Sequence, residues 1–197
     1  MTLTRAEFDR FLRKCDRQEF FEALTSNWLN NLFPGILHLI GCDQGKVVHN
    51  EGDAALHTWM VLTSVSHICR EELKRDPDFI ELLAALMHDW KKPITREVGP
   101  DGNVSFPGHE AMAGAEVNRV AAVLGLADFE KAKLFCLVAQ HGEFTCFPEL
   151  PTSKQREFQT SPFVESLCVF QKADATSAHR ADGGHWPVYW EQIKAKV

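Results

Sequence analysis

His88 and Asp89 stand side by side at the end of an otherwise apolar run, Leu82-Leu83-Ala84-Ala85-Leu86-Met87-His88-Asp89-Trp90-Lys91-Lys92-Pro93. Burying an imidazole and a carboxylate without partners costs on the order of 2–7 kcal/mol by transfer estimates, so the pair predicts something bound to it, a metal ion first of all. Read against helical periodicity, further titratable groups fall on apolar stripes. His57 heads Val61, Val65 and Ile68, and His109 heads Ala113, Val117 and Val120. His141 closes Leu134, Leu137 and Val138, while Asp174 falls in line with Phe163, Leu167 and Phe170. Each spacing puts the polar group on the face a helix turns inward. Imidazole nitrogens and carboxylate oxygens suit divalent transition metals and leave coordination positions for water. Such an ion lowers the pKa of bound water from about 15.7 towards roughly 7, which makes hydroxide available for attack on phosphorus at neutral pH.

Helices must carry these groups to one place. Thr4-Arg5-Ala6-Glu7 has the capping-box pattern and predicts a short helix bearing Phe8, Phe11 and Leu12. A second helix is expected from Arg17 to Leu32, ending at Phe33-Pro34-Gly35, and a long one from Asp53 to Leu73 with His57 in its first turn. Asp76-Pro77 reads as cap and first-turn proline of the helix that delivers His88 and Asp89. Gly99-Pro100-Asp101-Gly102, between two short β-compatible stretches, predicts a small hairpin beside the metal. Helices from His109 to Leu124 and from Asp128 to His141 follow. From Gly142 to Thr160 no period is visible, which predicts an unstructured connection. Ser161-Pro162 opens the helix of Asp174, and Trp186, Tyr189, Trp190 and Ile193 predict a last amphipathic helix devoted to packing. The expected fold class is an all-α helical bundle.

In this order, His57, His88-Asp89, His109, His141 and Asp174 resemble the HD superfamily of metal-dependent phosphohydrolases. The similarity is closest to the HD domain of bacterial CCA-adding (tRNA nucleotidyltransferase) enzymes. It spans roughly Phe20 to His179 and includes Leu32-Phe33-Pro34, His49-Asn50-Glu51-Gly52-Asp53, Phe106-Pro107-Gly108-His109-Glu110 and Ala173-Asp174-Ala175. The family usually reads His-Asp-x-Gly-Lys; here Lys91 replaces the glycine and Lys92 keeps the lysine position. Neither the Gly-Gly-x-x-Arg-Asp phosphate cradle nor the Asp-x-Asp pair of a nucleotidyltransferase head is present, so the resemblance implies the hydrolase part standing alone. What it implies is a single HD domain over residues 1–197, with its core at about 20–179 and the hairpin inserted near the metal site. His57, His88, Asp89 and Asp174 would be the primary ligands of a divalent ion (Mn, Ni, Mg, Fe, Co or Zn). His109 and His141 would either ligate a second ion, with Asp89 shared, or contact phosphate and protonate the leaving oxygen. Asp89, Lys92, His109 and His141 would thus carry the chemistry, Lys92 holding phosphate, with Arg96 its secondary candidate.

The implied substrate is a nucleotide or RNA end, including 2′,3′-cyclic or 2′-phosphates. Two alternatives stand beside it: a mixed-valent di-iron oxygenase, since some HD-fold oxygenases use the same ligand order, and a non-catalytic nucleotide- or RNA-binding module. His49 and Asp53 read as structural, Asp53 as a helix N-cap, and His38, His67, His179 and His185 show no partner pattern.

Composition agrees with a small phosphorylated substrate. A net charge of −6 counts against a broad basic surface for long nucleic-acid tracts. With 45% hydrophobic residues in 197, a sizeable core is expected, yet no apolar run approaches the roughly 20 residues of a membrane span. The start, Met1-Thr2-Leu3-Thr4-Arg5, lacks the layout of a secretory signal. Six scattered cysteines form no Cys-x-x-Cys pair, which points away from disulfides and zinc fingers and towards a reducing cytoplasm.

Overall fold

The structure, a computed structural model, describes residues 4–45, 49–184 and 186–194. The reading of Met1 to Leu3 and of His185 therefore lies outside the described residues. Thr4 and Glu7 close the expected capping box on α1 (Arg5–Lys14). The expected second helix is two: α2 (Arg17–Thr25) and α3 (Asn27–Leu32) meet at Ser26, which is extended and caps α3. A serine offers its hydroxyl to the backbone in competition with the helix, which is why the break falls there. A 3-10 turn, Ile36–Leu39, leads to α4 (Ala54–His67), capped by Asp53 as read, and a π-helical stretch, Ile68–Glu72, continues it.

The start of α5 (Phe79–Met87) corrects the sequence reading. Asp78, not Asp76, is its N-cap, because Glu81 three residues on returns the reciprocal bond that Asp76 has no partner for. Every residue of α5 is buried, as expected of the central helix of a bundle. After it come α6 (Lys92–Thr95) and the hairpin of β1 (Glu97–Val98) and β2 (Val104–Ser105), antiparallel with Val98 opposite Val104. The expected helix from His109 to Leu124 breaks at Glu116 into α7 (His109–Ala115) and α8 (Val117–Leu124).

Next stands α9 (Asp128–Ala139). The expected unstructured connection is instead α10 (His141–Thr145), a 3-10 turn at Phe147–Glu149, and α11 (Thr152–Gln159). Its apolar anchoring comes from single rings, Phe144 packing on Phe158 at 4.4 Å, so no periodic stripe was there to be read. Then follow α12 (Val164–Ser177) and the short α13 (Trp190–Lys194), which begins four residues later than the aromatic pattern suggested.

The molecule is an all-α bundle with one small hairpin. Helix α4 lies between α12 and α5; α5 packs on α9, α7 on α9, and α10 on α12. One contiguous cluster of buried apolar residues runs from Phe8 to Ile193. No helix among the described residues is long and apolar enough to cross a membrane.

Candidate metal centre

This packing brings the start of α4, the end of α5, the start of α7, the junction of α9 with α10, and the last turns of α12 to one point. All six expected ligand residues meet there. His57, His88 and Asp89 are within about 1% of full burial, and His109 and His141 are buried as well.

Nε2 of His57 lies 3.0 Å from Asp174 Oδ1 and 3.6 Å from Asp89 Oδ2. Nε2 of His88 is 3.1 Å from the same Asp89 oxygen and 4.0 Å from Asp174. The other Asp89 oxygen faces the remaining histidines, 3.3 Å from His109 Nε2 and 3.9 Å from His141 Nε2. Ligands held at about 2.1 Å from a common ion lie roughly 3.0–3.5 Å apart, the range of three of these six separations, with the other three at 3.6–4.0 Å. Ligand atoms of His57, His88 and Asp89 form one group compact enough to hold an ion, and those of Asp89, His109 and His141 form a second. Asp89 belongs to both.

The hydrogen bonds explain why the rings point inward. Nδ1 of His88 donates to Ala85 O at 2.9 Å, Nδ1 of His109 to Phe106 O at 2.8 Å, and Nδ1 of His141 to Val138 O at 2.8 Å. A carbonyl only accepts, so each Nδ1 bears a proton, and it is Nε2 that each ring turns to the centre, with a lone pair there whenever the ring is neutral. The Nε2 atoms of His109 and His141 consequently face one another at 3.3 Å. Two ring nitrogens facing at that separation share either a proton or a cation. Buried Nε2 of His88 and Oδ2 of Asp89 likewise meet at 3.1 Å without the alignment of a hydrogen bond. Mutually facing ligand atoms of this kind, with Nε2 of His88 buried and lacking a hydrogen bond, fit a metal ion, the group expected from the sequence.

Electrostatics run the same way. Burial is the largest influence on His141 and, with His88 beside it, pushes that imidazole down to about 4, so it is neutral at physiological pH. Burial also opposes charge on His57, but Asp174 and Glu51 together outweigh it and raise this group to about 9. A cation entering at neutral pH displaces that proton. For Asp89, burial disfavours the carboxylate, yet His88, Lys92 and His109 outweigh it and hold the group well below the usual range.

Lys92 is where the sequence placed it, buried with Nζ 2.8 Å from Asp89 Oδ2 and donating to Gln44 Oε1 at 2.6 Å. Lys91, standing at the family's glycine, turns away: its Nζ is 3.2 Å from Glu116 and 3.6 Å from the centre of the Trp90 ring. Arg96 is not at the site, because Asp43 holds it through both its backbone oxygen and its carboxylate. The hairpin reaches the centre through Phe106, whose ring lies 5.1 Å from Lys92 Nζ.

Three contributors escaped the sequence reading. Glu51, only 1% exposed in its side chain, accepts from His49 Nδ1 at 2.7 Å and from the His179 backbone N–H at 2.9 Å, and lies 3.0 Å from His57 Nδ1. It therefore orients a ligand from behind. His49 is not merely a loop residue, since it lines the cavity that opens onto the centre. Trp186 lines the same cavity and stands outside α13. The lead-in His49-Asn50-Glu51-Gly52-Asp53 was the available signal for the first two.

Fold and site together define an all-α protein with a buried His/Asp cluster able to hold a metal ion. No protein-family model, curated protein or solved structure matches the chain.

Proposed function

We propose that the protein is a divalent-metal-dependent phosphohydrolase, of the HD type, acting on a phosphomonoester or phosphodiester of a nucleotide or RNA end, 2′,3′-cyclic and 2′-phosphates among them. One observation carries the reading: four imidazoles aim Nε2 at two carboxylates that share a cavity with a buried lysine. A divalent ion held there supplies Lewis acidity, drawing charge from phosphoryl oxygens and lowering the pKa of water. Lys92 supplies the fixed positive charge that receives a phosphate oxygen. His109 and His141 either complete a second ion site with Asp89 or stand against the phosphate, where His109, the one of the two shifted toward the protonated form, serves the leaving oxygen. The cavity, about 250 Å³, suits one small phosphorylated unit rather than a polymer tract.

The test is elemental analysis of purified protein together with a metal-supplemented screen of a chromogenic phosphodiester and nucleotide phosphates. Stoichiometric metal and turnover support the reading; metal with oxygen consumption and no phosphoester turnover turns it to the di-iron oxygenase alternative. Metal with neither activity leaves a binding module.

Two variants separate the roles. Lys92→Ala is expected to retain the metal and lose turnover by about 10²–10³-fold, the usual effect of removing one charge-stabilising donor. Loss of metal instead would make Lys92 a structural partner of Asp89. Glu51→Gln should keep the fold and weaken metal affinity by about 10–100-fold, as measured by titration against a chelator, since the group behind a ligating histidine sets its orientation and basicity.

A further inference from the structure

The cavity has two unlike walls. Asp89, Lys92, His109 and His141 form the polar one, and Ala175, Ala178 and Trp186 line another part. Small residues one turn apart on and just beyond α12 leave space in front of the centre, and the indole borders that space.

Trp186 is held there by design of its neighbours rather than by a helix. Gln171, buried on α12 one turn before Asp174, spends its whole amide on this segment. Its Nε2 donates to Pro187 O at 2.8 Å and its Oε1 accepts from Tyr189 N–H at 3.2 Å. A buried primary amide with both ends committed fixes the backbone that follows Trp186. On the other side, Arg180 approaches the indole to 5.1 Å, and Asp182 holds that guanidinium at 3.0 Å. Helix α12 thus sets the position of both the ligand Asp174 and the aromatic ring. An indole that served packing alone would belong to the core, yet Trp186 is half-buried and borders a cavity.

We propose that Trp186 is the platform on which the planar part of the substrate stacks, so that the site selects a phosphate ester carrying a nucleobase over an aliphatic one. The placement of the phosphate at Lys92 rests on the phosphohydrolase reading; the platform itself rests on the cavity and the Gln171 anchor. Stacking on an aromatic side chain is tolerant of base identity, so the selection is for a nucleobase as such.

Calorimetric titration of the manganese-loaded protein with adenosine monophosphate and with ribose phosphate tests this directly. Wild type is expected to bind the nucleotide more tightly. Trp186→Ala should weaken nucleotide binding by about 5- to 150-fold, the range one stacked base supplies, and leave ribose phosphate unaffected. Trp186→Phe should retain most of the nucleotide affinity, which guards against a fold defect in the alanine variant. Equal loss for both ligands, unchanged nucleotide binding in Trp186→Ala, or no nucleotide binding by wild type overturns the platform. Trp186-dependent binding without turnover of any phosphoester keeps the platform and removes the hydrolase; nucleotide turnover with binding indifferent to Trp186 does the reverse.

Discussion

Asp89→Ala is expected to abolish metal retention and to reduce phosphoester hydrolysis by at least about a thousandfold, the rate equivalent of several kcal/mol of transition-state stabilisation. Asp89 is the residue shared by the His57–His88 and His109–His141 groups, one carboxylate oxygen turned to His57 and His88 and the other to His109 and His141. Truncating it removes negative charge from both halves of the cluster at once, whereas losing any single histidine removes one ligand that contributes no negative charge. The variant is expected to lose stability as well, because buried Lys92 and the facing imidazoles are left without their carboxylate, so the loss of metal is read only on protein that circular dichroism shows to be folded. Circular dichroism, elemental analysis and the chromogenic assay on the same preparation check all three statements. A fully active, metal-free Asp89→Ala protein would remove the centre from the chemistry.

The second large effect concerns stability, at the opposite end of α5. Glu81 is 1% exposed and is satisfied from several directions. Arg75 donates to its two oxygens at 2.7 and 2.9 Å, Ser166 Oγ donates at 2.7 Å, and the Asp78 N–H donates at 2.9 Å. Lys133 stands 3.7 Å away. Burial is the largest influence and favours the neutral acid, but Arg75, Lys133 and Ser166 together overcome it and bring the carboxyl down to about 2. Removing one partner from such a network leaves the others uncompensated, so Glu81→Ala is expected to cost about 3–5 kcal/mol and to lower Tm by roughly 6–20 °C.

The pH dependence has a definite sign. The folded-state value lies below the ordinary 4.5, so the contribution of the charge is fully present above that pH and disappears as pH falls from 4.5 to about 2. Urea unfolding of wild type and Glu81→Gln should therefore differ by about 3 kcal/mol at neutral pH and converge in acid. A pH-independent difference would assign the effect to packing instead.

What could be read from the chain was whatever repeats along a helix. His57, His109, His141 and Asp174 each continue an apolar stripe, so their inward direction was legible, as was the hairpin from its glycine-rich turn. Glu51 and His49 sit before α4, where no period exists to reveal direction, and their roles depend on His57 and His179 from elsewhere in the chain. Trp186 looked like the first turn of an amphipathic helix because Tyr189, Trp190 and Ile193 continue its spacing; the Gln171 bonds to Pro187 and Tyr189 hold that stretch out of the helix. The direction of Lys91 was likewise a tertiary matter, decided by Glu116 and the face of Trp90.

Three of the inward-facing imidazoles are tethered to a main-chain oxygen three positions upstream, at Ala85, Phe106 and Val138. Every amino acid carries that oxygen. The aim of the rings therefore does not depend on the side chains at those upstream positions, which answer to the packing of the core instead. A substitution at any of the three would be felt through packing and would leave the tether of the imidazole in place.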